Sequence, residues 1–346
     1  MSGLRWGTAV AAARHLLAVQ AQNLGDAGWT LGLRTTGLTE PAVAAALASG
    51  ELVRTWTMRG TLHLCAPEDV RWLLALLGPR AYGGRSTLWR SCGLDEQQLT
   101  RARQVARVEL AGDRLVARPA LLGALADAGV PTAGQAGSHV LRYLAESATL
   151  VPGPPSGRTP TFALLDDWVP AGPAPSREEA LARLAVRYVA GHGPATAKDL
   201  AWWSGLLLRD CQHALRLAGD ELVEVSVAGE AHHVSASLLD RPADPAPRVH
   251  LLAGFDEYHI GYAHRRLILD DAHRATVGPA KNGLFRSPLL VDGRIAGTWS
   301  RTLRTRSVEI TVDPFGELPP ELAAPLAAAR TAHAAFLERA ETAPPG

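Results

Sequence analysis

The chain has 346 residues, 47% of them hydrophobic and 20% charged, with a formal net charge of +1. That length suggests roughly two to four structural units rather than one small domain, and the near-neutral balance gives no bulk electrostatic argument for a nucleic-acid partner. Cys65, Cys92 and Cys211 are scattered and odd in number, so neither a disulfide framework nor a zinc site is indicated, and no stretch approaches the ~20 apolar residues of a membrane span.

Within that charge balance the only lysines are Lys198 and Lys281; every other basic residue is arginine. Arginine enrichment has two readings here: recognition of phosphates through a forked set of donors, or a biased genome composition, which the abundant Ala, Gly and Pro also favour. The start of the chain lacks a signal-peptide core, so a cytoplasmic protein is expected.

In chain order, helical patterning is predicted over about residues 8–22 and 24–33, and Thr39-Glu40-Pro41 opens a further helix through Leu47, with Thr as N-cap and Gly50 closing it. The runs Leu52–Met58 and Thr61–Leu64 read as two strands around Arg59-Gly60. After a connector rich in Trp, Arg and Gly, helices are expected near 95–111, 118–128 and 134–147, then strands at 149–151 and 161–164 about a Pro-Gly-Pro-Pro-Ser-Gly loop. Past a Pro-rich linker, Ser176-Arg177-Glu178-Glu179 has the form of a capping box. Helices near 196–204 and 207–218 follow, then a hairpin formed by 222–227 and 231–235.

Three helices followed by a two-stranded wing is the winged-helix form of the helix-turn-helix. The expectation is therefore an α+β chain of three such units, residues 1–92, 93–170 and 171–245, with a small β domain and closing helix over 246–346. In that β domain, 249–255, 267–270, 288–291, 295–299 and 307–312 are predicted strands, and Asp292-Gly293 is a hairpin turn.

Gln20-Ala21-Gln22 stands where the first apolar helix would otherwise continue. Two residues apart on a regular helix point to widely different sides, so two glutamines sharing one point require the helix to end, and Gly25 and Gly28 are expected to supply that stop. Two neutral amides can clamp a water molecule, since each offers an acceptor and donors; they are poor general bases. The other reading is a pair of unremarkable glutamines at a helix end.

The segments Leu17-Ala18-Val19-Gln20-Ala21-Gln22, Arg54-Thr55-Trp56-Thr57-Met58-Arg59-Gly60-Thr61-Leu62-His63, Gly254-Phe255-Asp256-Glu257-Tyr258 and Asn282-Gly283-Leu284-Phe285-Arg286 together resemble the AlkZ/YcaQ-like family of winged-helix DNA glycosylases, in the right order over nearly the whole chain. The resemblance implies three winged-helix units plus a β domain wrapped as a C-shaped clamp on duplex DNA. It also implies hydrolysis of the N-glycosidic bond of alkylated purines, above all N7-alkylguanine in bulky monoadducts or interstrand crosslinks. Gln20 and Gln22 match the Gln/Gln branch, the one that resembles the antibiotic self-resistance enzymes; the sequence departs from the family pattern at His264, where the family has Asp before the arginine.

N7 alkylation already makes the base a cationic leaving group, so the remaining task is to bring water to C1′ of an oxocarbenium-like sugar. Two amide oxygens can do this by positioning and partial charge. No lysine lies near the motif, so no lyase step is expected, nor any metal or cofactor. A base tethered in a crosslink cannot swing out fully, which calls for an open cleft. The implied partner is duplex DNA carrying alkylpurine adducts, bound by a monomer and drawing it to the nucleoid.

Asn23, beside the motif, and Trp56, Arg59 and His63, on the first wing, are candidates for substrate or DNA contact; for Trp56 and His63 the alternative is a place in the core. Arg286, Arg294, Arg301, Arg304 and Arg306, with Lys281 nearby, concentrate positive charge in the β domain, either as phosphate or minor-groove contacts or as a solvated face. Asp256 and Glu257, read as strand neighbours on opposite faces, are expected to tie Arg265 or Arg266 to that domain. The competing class is a non-catalytic winged-helix regulator that uses the same arginines and leaves the glutamines idle.

Overall fold

The computed structural model describes residues 5–239, 249–279 and 283–342; the linker at 241–247, Lys281 and Asn282 lie outside the described residues. The chain begins with helix α1 (Ala9–Leu16), strand β1 (Val19–Gln20), helices α2 (Leu24–Gly32) and α3 (Glu40–Ala48), and strands β2 (Val53–Met58) and β3 (Thr61–Cys65). Thr39 caps α3 as expected, its hydroxyl accepting from Ala42 N.

The first helix is shorter than its apolar pattern. It stops at Leu16 because Leu17 takes a positive φ of 67°, and the chain then runs extended. Gln20 consequently lies on a strand, and Gly25 and Gly28 lie inside α2 rather than in the helix stop.

The presumed connector after β3 is mostly helical: α4 (Pro67–Gly83) and α5 (Ser86–Ser91). Pro79 inside α4 sacrifices a hydrogen bond and costs about 3 kcal/mol. The helix persists because Val70, Leu73, Leu74 and Leu77 are all buried on it, each contributing about 1.5–3 kcal/mol. Gly78 permits a close approach of backbone: a Cβ there would stand 2.3 Å from the Glu146 carbonyl oxygen.

The second helical set is α6 (Glu96–Leu110), β4 (Val116–Ala117), α7 (Arg118–Asp127) and α8 (Ala136–Glu146), followed by β5 (Leu150–Ser156), β6 (Thr159–Leu164) and α9 (Leu165–Trp168). The expected wing strands form, and β5 runs further than expected, into the proline-rich segment, with a bulge between Gly153 and Ser156. The third set is α10 (Arg177–His192), α11 (Ala197–Ser204), α12 (Leu208–Leu217), β7 (Leu222–Val227) and β8 (Glu230–Ser235). Its first helix opens on the Ser176/Glu179 capping box read from the sequence.

The last part contains β9 (Val249–Leu251), α13 (Glu257–Ile260), α14 (Arg274–Val277), β10 (Ser287–Val291), β11 (Arg294–Leu303), β12 (Ser307–Pro314), α15 (Ala323–Phe336) and β13 (Ala340–Thr342). The sheet order is β13-β12-β11-β10-β9, and Asp292-Gly293 turns β10 into β11 with positive φ at both residues. Two predicted strands differ: 267–270 is a turn, and the strand expected to run through Phe255 stops at Leu251.

Buried residues form cores that link distant parts of the chain. Trp29, Leu31 and Val43 of α2 and α3 share one core with Leu251, Leu289, Val308 and Phe336. There the Trp29 indole donates to the Leu251 carbonyl at 2.6 Å. A second core joins Leu73 and Leu77 of α4 to Leu184, Tyr188 and Trp203, and a third gathers Leu99, Leu121, Leu144 and Phe162. The N-terminal helices therefore sit on the C-terminal sheet, and that contact builds the candidate site.

Candidate active site

The sheet carrying the glutamine motif has the order β1-β3-β2, with β1 at its edge. Val19 pairs with Leu64 and Gln20 with His63, both antiparallel, and Ala21 N donates to the Leu62 carbonyl at 2.6 Å, prolonging the extended run. The strand ends at Gln20 and Gln22 follows at a bend two residues on, so the regular helix that would have pointed the two amides to different sides is absent.

The two amides differ in surroundings. Gln20 is 8% exposed, and its side-chain amide makes no hydrogen bond among the described residues. Gln22 is exposed, and its Oε1 accepts from Leu62 N at 3.2 Å. A carbonyl oxygen has two lone pairs, so Leu62 fixes the Gln22 amide and leaves it one acceptor position. One held amide beside one unengaged amide is suited to bind and orient a small polar molecule, and neither group ionises.

The main chain between them is clamped. Arg54, on β2, donates to the Ala21 carbonyl from Nε at 3.0 Å and from a terminal nitrogen at 2.7 Å, with a longer contact to the Gln22 carbonyl at 3.4 Å. On its outer edge β1 meets the last part of the chain: Gln20 N donates to Glu257 Oε1 at 2.9 Å. Sequence reading missed both of these roles. Arg54 is a strand residue like any other until β1 is known to exist, and Glu257 is 237 positions away.

Asp256 and Glu257 serve partners other than Arg265 and Arg266. Asp256 N-caps α13 by accepting from Tyr258 N and takes two bonds from Arg34, at 2.9 and 2.7 Å. Burial raises the Asp256 pKa, but the charge and hydrogen bonds of Arg34 outweigh it, so the carboxyl is held below its usual range. Arg265 instead donates to the His259 carbonyl, and Arg266 pairs with Glu230.

Glu257 is fully buried; its Oε2 accepts from the Trp203 indole at 2.9 Å and faces His192 Nε2 at 3.3 Å. Its burial also raises the pKa, and this is outweighed by the hydrogen bond and charge of His192, then by His63 and the Gln20 N–H, leaving a net lowering.

His63 has no exposed surface, and its ring meets Thr57 at 2.9 Å and Thr61 at 3.4 Å. Burial, and secondarily Arg59, push its pKa down to about 3, so it is a neutral ring forming the wall beside Gln20. Trp56 is half-buried and packs against the core of the second helical set.

Arg59 takes a positive φ of 50° at the turn between β2 and β3. Its Nε and one terminal nitrogen are buried without a partner among the described residues. Burial lowers its pKa, while Glu257 and Tyr188 act in the opposite sense. Asn23 caps α2, its Oδ1 accepting from Asp26 N at 3.2 Å.

Among the β-domain arginines, Arg286, Arg294, Arg304 and Arg306 are exposed. Arg304 and Arg306 stand at the turn between β11 and β12, beside the half-exposed Leu303. Arg294 reaches the Leu267 carbonyl at 3.3 Å. Arg301 faces inward, lying 3.6 Å from Asp26 and donating to His333 at 3.0 Å, so it is engaged within the fold.

Comparison with known proteins gives this geometry its setting. Residues 13–336 match the family model described as DNA glycosylase AlkZ-like. The chain belongs to the AlkZ-like DNA glycosylase family. It is 30% identical over 343 residues to a Streptomyces sahachiroi protein named interstrand DNA cross-link repair glycosylase, covering 94% of this chain and 90% of that one. The solved structure of the Streptomyces sahachiroi DNA glycosylase AlkZ superposes with a TM-score of 0.84 at 25% identity, covering 98% of this chain and 94% of that one. An AlkZ-like chain therefore carries its Gln-Ala-Gln segment at the end of an edge strand, bonded to β3, Arg54 and Glu257.

Proposed function

We propose that the chain is a monofunctional DNA glycosylase that hydrolyses the N-glycosidic bond of cationic alkylpurines, N7-alkylguanine above all, in duplex DNA. The observation that carries this reading is an unengaged Gln20 amide at the end of the edge strand and, two residues on, an exposed Gln22 amide fixed by Leu62 N. Such a pair can hold water against C1′ and place partial negative charge beside the developing oxocarbenium ion. Little general acid is required, because the alkylated base already carries a positive charge and leaves as a neutral molecule; the water that adds to C1′ gives up its proton to solvent. With no lysine near the motif in the sequence, the product in this reading is an abasic site with its strand intact.

The relative's name speaks for interstrand crosslinks and repair; this reading adds bulky monoadducts as substrates and self-protection against a genotoxic metabolite as a setting. In this reading residues 1–92, 93–170 and 171–245 act as winged-helix units and 246–346 as a β domain, together forming a clamp whose exposed β-domain arginines touch phosphate or groove. The protein works as a monomer in the cytoplasm.

The test is release of N7-methylguanine, and of larger adducts, from duplex DNA by the purified protein. Gln20→Ala and Gln22→Ala should each reduce release about 100-fold or more while binding to the same duplex persists. Full release by both variants refutes the assignment of the site.

A further inference from the structure

β1 has two residues, Val19 and Gln20, too few for its own ladder to fix where the Gln20 side chain stands. On one side β3 holds it through the Ala21–Leu62 bond. On the other, an edge strand presents N–H groups that water normally satisfies; here the Gln20 N–H meets the fully buried Glu257 carboxylate at 2.9 Å.

Glu257 is itself immobilised. Its second oxygen takes the Trp203 indole N–H at 2.9 Å and faces His192. Those two rings pack with Tyr188: the Tyr188 and His192 rings stack with centroids 4.6 Å apart, and Trp203 lies 5.1 Å from Tyr188. One residue back, Asp256 is locked to Arg34 by two bonds. A charge-assisted bond from such a rigid base is short and directional, so it transmits position rather than merely filling a donor's valence.

We propose that Glu257 is a positioning residue for base release: by gripping the Gln20 N–H it sets the height and tilt of the edge strand, and so the point at which the Gln20 amide meets the deoxyribose. This rests on the glycosylase reading above and adds to it a residue that never touches DNA. Misplacing a catalytic group by about 1 Å is enough to cost on the order of 100-fold.

The experiment measures single-turnover release of N7-methylguanine at saturating enzyme, Kd for the same duplex, and thermal unfolding, for wild type, Gln20→Ala, Glu257→Asp, Glu257→Ala and Asp69→Asn. Glu257→Asp keeps the charge but withdraws the acceptor from Gln20. Asp69 is the control: it is equally buried and takes bonds from the Trp72 indole and from Arg187, away from the motif. The expected result is a rate about 10- to 100-fold lower for Glu257→Asp and Glu257→Ala at unchanged Kd, and a wild-type rate for Asp69→Asn even where its melting temperature falls.

Wild-type rates in Glu257→Asp overturn the proposal even if Glu257→Ala does not fold. So does a rate loss no greater than that of Asp69→Asn, or one accounted for by weaker DNA binding. A wild-type protein that releases no base, indistinguishable from Gln20→Ala, refutes the glycosylase reading and this inference with it.

Discussion

Arg54 holds Ala21 by its main-chain carbonyl, with Nε at 3.0 Å and a terminal nitrogen at 2.7 Å. The middle residue of the motif is thereby fixed through its backbone while its neighbours' side chains stay available. A planar fork is needed for this, and lysine cannot reproduce it. Arg54→Ala should slow single-turnover base release about 10-fold or more, by the same sensitivity to sub-ångström placement, with Arg54→Lys intermediate. Duplex affinity should change little, because the guanidinium is spent on the protein's own carbonyls; a parallel loss of affinity would show that Arg54 contacts DNA instead.

Arg34 and Asp256 form a bidentate pair at 2.7 and 2.9 Å, with side-chain exposures of 9% and 0%. Removing one partner strands the other as a buried charge, at a cost of about 3–5 kcal/mol. Arg34→Met should therefore unfold at clearly lower denaturant than wild type, and Arg34→Met combined with Asp256→Leu should recover part of the loss. Equal stability of the single and double variants would show that the pair is not coupled.

Burial holds five histidines well below their usual pKa: His63, His259 and His333 at about 3, and His15 and His250 at about 4. Each takes up a proton on unfolding between its folded value and ~6.5, so the stability it contributes is complete above about pH 6.5 and is lost as pH falls toward the folded value. For the three fully buried rings the loss by pH 5 is on the order of 2 kcal/mol each. Asp256 and Glu257, held below the usual carboxylate range, contribute stability above about pH 4 that disappears on further acidification. Urea unfolding should show a much weaker fold at pH 5 than at pH 7, and His259→Leu should lower the proton uptake by about one. A flat stability between those pH values would contradict the neutral, buried state of these rings.

Glycine inside a helix ordinarily costs about 1 kcal/mol relative to alanine. At Gly78 the sign should reverse, because the added Cβ would lie 2.3 Å from the main-chain oxygen of Glu146, and forcing the helices apart costs about 1–3 kcal/mol. A Gly78→Ala protein that melts at or above the wild-type temperature would show that α4 and α8 have room to separate.

Much of the local architecture was legible in the chain alone. Thr39 and Ser176 marked helix starts because capping is a short-range exchange of side chain for orphan N–H groups, and Asp292-Gly293 marked a turn because few other residues accept its backbone angles. The same locality explains the errors. Pro79 interrupts the helical pattern of α4, whose apolar face outweighs it only once a partner surface exists, and the apolar run to Gln22 concealed the positive φ at Leu17 that ends α1.

The glutamine motif itself was readable from sequence, as were the amide chemistry it could support and the residues that carry the family likeness. What only the tertiary structure decided was how the motif is held: on a two-residue edge strand gripped by Arg54 and Glu257, with His63 neutral beside it. Side-chain type and short-range backbone preference are written in the order of residues. The partner of an edge-strand N–H 237 positions away is not, because it follows from which apolar faces bury one another, and that is a property of the whole fold.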